Sequence, residues 1–112
     1  FTIRSRRLVI NKIKESYSQN KDLFLFANLM QPHMNYNPPH HSKSKFVTED
    51  YKETKQDVGK FYSGLYSDKK MQYFSELYQA EVNFLDEQIG LIIDAINKIG
   101  VMEESLIVFL SI

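Results

Sequence analysis

Residues 68–99 read DKKMQYFSELYQAEVNFLDEQIGLIIDAINKI, the longest stretch of the chain in which apolar side chains recur at helical spacing. This spacing predicts an amphipathic α-helix that buries one face. Ser67 or Asp68 can cap its start by accepting backbone N–H bonds, and Gly100 stands where a left-handed C-terminal cap is expected. The apolar stripe predicted on this helix consists of Met71, Phe74, Tyr78, Val82, Leu85, Ile89, Ile92, Ile93 and Ile96.

Two short apolar runs flank this helix along the chain. Residues 23–30, LFLFANLM, and residues 106–110, LIVFL, show no polar alternation and are bounded by polar residues. Such runs are typical of strands that are buried on both faces of a parallel sheet. We therefore predict an α/β fold, a mostly parallel sheet flanked by helices. In it, residues 23–30 and 105–110 are adjacent or near-adjacent strands joined by a right-handed crossover.

The other segments are expected to surround this sheet. Residues 5–18 have apolar positions at helical spacing and are predicted to form a helix, which Asn20 and its polar neighbours end. Residues 31–46 contain three prolines and are predicted to form a loop, whereas 47–66 is ambiguous, with a polar surface helix over 50–60 as one option. Because two parallel strands cannot bury both faces alone, we expect the chain to need the rest of a domain to fold.

The composition is that of a globular protein and excludes several classes of function. Hydrophobic residues make up 43% and charged residues 25%, and the formal net charge is zero. The chain therefore has no overall field to attract nucleic acid, and no nucleic-acid partner is expected. The absence of cysteine excludes disulfides, thiolate metal sites and a cysteine nucleophile. No apolar run approaches the ~18 residues of a membrane span, so no membrane-spanning segment is predicted.

His33 is the strongest single candidate for a functional residue. It follows the first predicted strand, in a loop stiffened by proline, and loops at the carboxyl ends of strands bind ligands in α/β sheets. Its imidazole can donate a hydrogen bond to an oxyanion or move a proton near neutral pH. The alternative is a loop histidine bonded to a backbone carbonyl. His40 and His41 match no compact zinc pattern and are interpreted as exposed loop histidines.

The long predicted helix carries three carboxylates that are further candidates for functional residues. Glu81, Asp86 and Glu87 are interpreted as helix-surface charges or members of structural salt bridges. Asp86 follows the apolar Leu85, so partial burial is expected for it.

Two stretches together resemble the sulfatase family of the alkaline-phosphatase superfamily. The first is FLFANLMQPHMNYNPP, residues 24–39, which resembles the family's buried strand and its Pro-His-x-Pro-Tyr turn. The second is YQAEVNFLDEQIGLIIDAINKIGVMEESLIVFLS, residues 78–111, which is similar to the family's tyrosine-led helix and the strand that normally ends in Thr-Ser-Asp-His-Gly. The order and separation of the two stretches also suit the family.

The resemblance implies a sulfuric-ester hydrolase with a small-molecule or sugar sulfate ester as substrate. In that family, a formylglycine made from an upstream cysteine or serine attacks the sulfur, and a divalent cation, usually calcium, holds the sulfate. His33 matches the histidine that contacts the sulfate group, and a donor facing an anion suits that role. The fold that the resemblance implies is the α/β sheet of the alkaline-phosphatase-like sulfatases.

The chain departs from the family's pattern at two positions. Asn35 stands where the family often has proline, and Ile112 stands where the metal-binding aspartate is expected. Because isoleucine offers no oxygen ligand, no metal or cofactor is expected to bind this piece. Residues 1–112 are thus predicted to be a partial sulfatase catalytic domain that lacks the nucleophile motif, most metal ligands and the C-terminal part. In isolation it is expected to be inactive.

Two other functions are kept open by the sequence. A phosphotransferase or phosphodiesterase of the same superfamily would share the fold and the metal position but use a different nucleophile. A non-catalytic interaction module would require that the chain fold alone, with a partner covering the edges of its strands.

Overall fold

The computed structural model describes residues 2–49 and 56–111, and the regular structure within them is helical. It divides into two compact units along the chain. The central unit is Leu29–Glu87, and the terminal unit comprises the residues up to Asn28 and from Gln88 onwards. The elements are α1 (Thr2–Ser18), α2 (His40–Phe46), α3 (Val58–Tyr62), α4 (Asp68–Ile99) and a 3₁₀ turn (Met102–Glu104).

The long helix α4 has the bounds that its sequence predicts. At its start, the backbone N–H of Lys70 donates to Ser67 Oγ over 3.3 Å, which confirms Ser67 as a cap. At its end, Gly100 adopts a φ of 89°. The N–H of Gly100 donates to the Asn97 carbonyl over 3.1 Å, and the N–H of Val101 donates to Ile96 over 3.3 Å. These two bonds form a Schellman motif, so the predicted left-handed cap is also confirmed.

The first helix, α1, confirms the prediction made for residues 5–18 and begins three residues earlier, at Thr2. It ends through the same kind of motif as α4. Asn20 has a φ of 53°, and its N–H donates to the Tyr17 carbonyl over 3.0 Å. The N–H of Lys21 donates to Ser16 over 2.9 Å. Asparagine tolerates this left-handed position better than most residues, which explains why the helix stops here.

The predicted α/β fold is wrong for the part of the chain that the structure describes. Residues 2–49 and 56–111 contain no strand and no sheet, so 23–30 and 105–110 are not the parallel strands that we expected. The side chain of Phe24 is 95% exposed and that of Leu106 is 90% exposed. An apolar run becomes a strand only where a neighbour takes its backbone N–H and C=O groups, and neither run has such a neighbour here.

The core of the central unit lies against a different stripe of α4 from the predicted one. Tyr73, Phe74 and Leu77 are buried, and Tyr36, Val47, Phe61 and Tyr66 pack against them. Of the predicted stripe, Phe74 and Ile96 are buried, whereas Tyr78 is 45% exposed. In the central unit the buried stripe continues from Leu77 through Ala80, Glu81 and Phe84. It contains the polar residue Glu81, which a search for apolar spacing leaves out.

Two short helices occur where the sequence predicts a loop or is ambiguous. The helix α2 (His40–Phe46) occupies the end of the predicted loop 31–46 and follows Pro39, whose φ is −63°. The helix α3 (Val58–Tyr62) is capped by Asp57, which accepts from the Lys60 N–H. It overlaps the last residues of the surface helix that the sequence offers as an option for 50–60. Residues 50–55 lie outside the described part of the chain.

The cap of α4 predicts opposite effects for two glycine substitutions. Gly100→Ala should lower the free energy of unfolding by about 1 kcal/mol, because an alanine Cβ is strained at a positive φ. Gly90→Ala, inside the same helix and with nothing within 4 Å of the added Cβ, should raise it by about 0.5–1 kcal/mol. Urea unfolding followed by circular dichroism measures both, and shifts of the same sign would contradict the cap.

Candidate functional site

The segment that contains His33 runs from Gln31 to Pro39, and we refer to these residues as the His33 loop. The His33 side chain is exposed, and its Nδ1 donates to the Met34 carbonyl oxygen. The Gln31–Pro32 and Met34–Asn35 peptide bonds are cis. With Nδ1 bonded to the backbone, Nε2 is the ring nitrogen that remains to face a ligand.

The His33 loop is tied to α4 by the carboxylate of Glu81. This carboxylate is buried, with only 2% of the residue's surface exposed. It accepts a hydrogen bond from the side-chain amide of Gln31 and another from the backbone N–H of Asn37, over 2.7 Å. The two donors stand on either side of His33 in the sequence. A single buried carboxylate therefore fixes both ends of the segment in which His33 lies.

A second contact holds the same loop at Tyr36. The side-chain amide of Gln56 donates to the Tyr36 carbonyl over 2.7 Å and accepts from the Tyr36 N–H. The Tyr36 ring meets the Tyr78 ring edge-on, with centroids 5.9 Å apart. Burial raises the pKa of the Tyr36 phenol, and the neighbouring groups Tyr62, Tyr78 and Glu81 raise it further. The phenol therefore stays neutral at physiological pH and packs as an aromatic group.

The other two histidines lie elsewhere in the central unit. His41 Nε2 is 2.8 Å from a carboxylate oxygen of Glu87, and its ring packs edge-on against Phe84 with centroids 6.1 Å apart. His40 is the first residue of α2 and is exposed. His40 and His41 are exposed, as the sequence predicts, but both lie in α2, so their interpretation as loop histidines is wrong.

The described residues do not fit a divalent cation. Residues 2–49 and 56–111 contain no group of three or more histidine, aspartate or glutamate side chains that could hold a metal ion. Hard cations such as calcium take six or more oxygen ligands, among which carboxylates are prominent. Ile112, which stands at the expected metal-ligand position, lies outside the described residues.

The three helix carboxylates have environments that the sequence only partly predicts. Glu87 is exposed beside His41, as a surface charge should be. Asp86 is also exposed, so its predicted partial burial is wrong. Glu81 is buried and bonded to the His33 loop, and not on the helix surface. The signal that could have found it is its place in the helical series Leu77, Ala80, Glu81, Phe84.

Comparison of the sequence with models of known protein families identifies the family to which this chain belongs. The family model described as Sulfatase matches residues 4–111. The chain belongs to the sulfatase family. No curated protein and no solved structure matches it. The described helices of this sulfatase segment include none that is long and apolar enough to cross a membrane.

A second carboxylate of α4 ties another part of the sulfatase segment to the same helix. Glu76 accepts from the backbone N–H of Thr48 over 3.1 Å and from its hydroxyl over 2.9 Å. The side-chain amide of Gln72 donates to it over 3.2 Å. Burial raises the pKa of Glu76, but the hydrogen bonds from Thr48 and Gln72 outweigh it and hold that pKa below its ordinary value.

The lowered pKa of Glu76 predicts the pH dependence of its contribution to stability. Because the folded-state pKa lies below the unfolded one, the ionised carboxylate stabilises the fold above pH 4.5. This contribution is lost as the pH falls through the folded-state pKa. Glu76→Gln should cost about 1 kcal/mol at neutral pH, and the difference from wild type should shrink in acid. Urea unfolding across this range measures it, and a difference that grows in acid would contradict the assignment.

Proposed function

We propose that this chain is part of the catalytic domain of a sulfuric-ester hydrolase and that His33 contacts the sulfate group of the substrate. Family membership supports the reaction class. The observation that supports the residue is the exposed His33 imidazole on a loop that Glu81 ties to α4 on both sides. An exposed donor on a fixed loop can meet an anion without first ordering the chain.

The hydrogen bond inside the loop determines what the His33 ring can do. Nδ1 donates to the Met34 carbonyl, so a neutral ring offers Nε2 only as an acceptor. Once protonated, the ring donates from Nε2 to a sulfate oxygen and places a positive charge beside it. As the S–O bond of the ester breaks, its electron pair moves onto the leaving oxygen, and a positive charge held beside the sulfate group stabilises the negative charge that is redistributed over the ester.

In this proposal, the nucleophile and the ligands of the cation come from residues other than those that the structure describes. The formylglycine nucleophile needs a cysteine or serine motif that these 112 residues lack. The cation, calcium in this proposal, needs oxygen ligands that the described residues do not assemble. The role left to this chain is to bind and orient the sulfate ester through His33. The substrate is a small-molecule or sugar sulfate ester.

A matched pair of histidine variants tests this role in the catalytic domain that contains these residues. His33→Ala should lower turnover of a chromogenic sulfate ester on the order of 10²–10³-fold, as removing one oxyanion donor does. His40→Ala, at the start of α2, should leave turnover unchanged. Melting temperatures of both variants control for folding.

Two results would contradict the proposal. Equal turnover by the two variants would remove His33 from the substrate site. Hydrolysis of the corresponding phosphate ester, with none of the sulfate ester, would assign the domain to another reaction class.

A further inference from the structure

The buried carboxylate of Glu81 accepts hydrogen bonds from two donors of the His33 loop. An ionised carboxylate taken out of water is costly unless hydrogen bonds replace its hydration. Within residues 2–49 and 56–111, the Gln31 amide and the Asn37 N–H donate to Glu81, and both belong to the His33 loop. The helix residue and the loop therefore depend on each other. The carboxylate needs the loop's donors, and the loop conformation needs the carboxylate.

The positions of the two donors matter as much as their number. Gln31 precedes His33 by two residues and Asn37 follows it by four. The Asn37 donor is a backbone N–H, so its bond restrains the main chain directly. The Gln56 amide adds a restraint on the neighbouring residue, Tyr36. Restraints on both sides of His33 limit how far its imidazole can move relative to α4.

We propose that Glu81 is the positioning residue for His33, holding the His33 loop so that the imidazole meets the sulfate group. This inference rests on the proposed function. Glu81 does not touch substrate and acts only through the loop. Because a displacement of about 1 Å at a reacting group can cost on the order of 10² in rate, loss of the anchor should lower turnover without removing His33.

The chemistry of the Gln31–Glu81 contact allows a reciprocal test. Glu81 only accepts hydrogen bonds, whereas a glutamine amide both donates and accepts. Gln31→Glu alone sets two carboxylates against each other and should push the loop away from α4. In the double variant Gln31→Glu/Glu81→Gln, the amide at position 81 donates to the carboxylate at position 31. Its oxygen can still accept from the Asn37 N–H, so the contact is restored with its polarity reversed.

The helix also offers a matched control. Glu76 lies on α4 and accepts from a backbone N–H, but that N–H belongs to Thr48, outside the His33 loop. Glu76→Ala therefore removes a carboxylate anchor of similar kind without touching His33. This variant distinguishes the general effect of losing a carboxylate on α4 from the specific effect of losing the Glu81 contact with the His33 loop.

The experiment measures kcat and KM for a chromogenic sulfate ester in the catalytic domain that contains this segment. Gln31→Glu should lower kcat on the order of 10²-fold, the double variant should recover most of it, and Glu76→Ala should leave it unchanged. In the same catalytic domain, ¹⁵N signals of the His33 ring should shift in Gln31→Glu and return in the double variant. Recovery of kcat in the double variant would show that the loss in Gln31→Glu comes from a displaced His33 and not from a smaller amount of folded protein.

The outcomes separate this inference from the proposed function. If His33→Ala lowers turnover but Gln31→Glu does not, or the double variant fails to recover, positioning by Glu81 is overturned and the role of His33 stands. If the ring signals respond and recover as expected while His33→Ala leaves turnover unchanged, the Glu81 anchor stands and the proposed function is overturned.

Discussion

The hydrogen bonds to the Glu81 carboxylate are the interaction on which the arrangement of the His33 loop depends. A carboxylate with 2% of its residue exposed is costly to bury unless hydrogen-bond donors replace its hydration, and the loop supplies such donors from both sides of His33. The three prolines of the loop have no backbone N–H, which reduces the number of main-chain donors that can hold the loop. The N–H of Asn37 is one of the donors that remain, and it bonds to Glu81. Without Glu81, that N–H would lose its partner.

The helix α4 acts as the frame for the whole segment between the His33 loop and Thr48. Its carboxylates contact this segment at three places, each through a different set of donors. A backbone N–H and an amide meet Glu81, a backbone N–H and a hydroxyl meet Glu76, and an imidazole meets Glu87. The caps at Ser67 and Gly100 set where this frame begins and ends. The role proposed for the exposed His33 imidazole rests on the family membership of the chain.

The sequence predicts α1 and α4 because the helical period and the cap residues are local signals. The predicted strands at 23–30 and 105–110 are wrong because a strand needs a pairing neighbour, which an apolar run does not encode. Within the site, His33 could be singled out from its place after a proline, and its catalytic role stays a prediction. The burial of Glu81 could have been inferred from its place in the helical series with Leu77, Ala80 and Phe84. Its bonds to the His33 loop could not, since the donors lie far away in sequence.

The backbone amide of Asn37 tests the central claim most directly. In wild type, hydrogen-bonded to Glu81, it should exchange slowly with solvent, and its proton should resonate downfield in the NMR spectrum. In Glu81→Ala both properties should be lost, while the Thr48 amide, bonded to Glu76, should stay as it is and serve as the internal reference. An Asn37 amide with the same shift and the same exchange rate in both proteins would contradict the account.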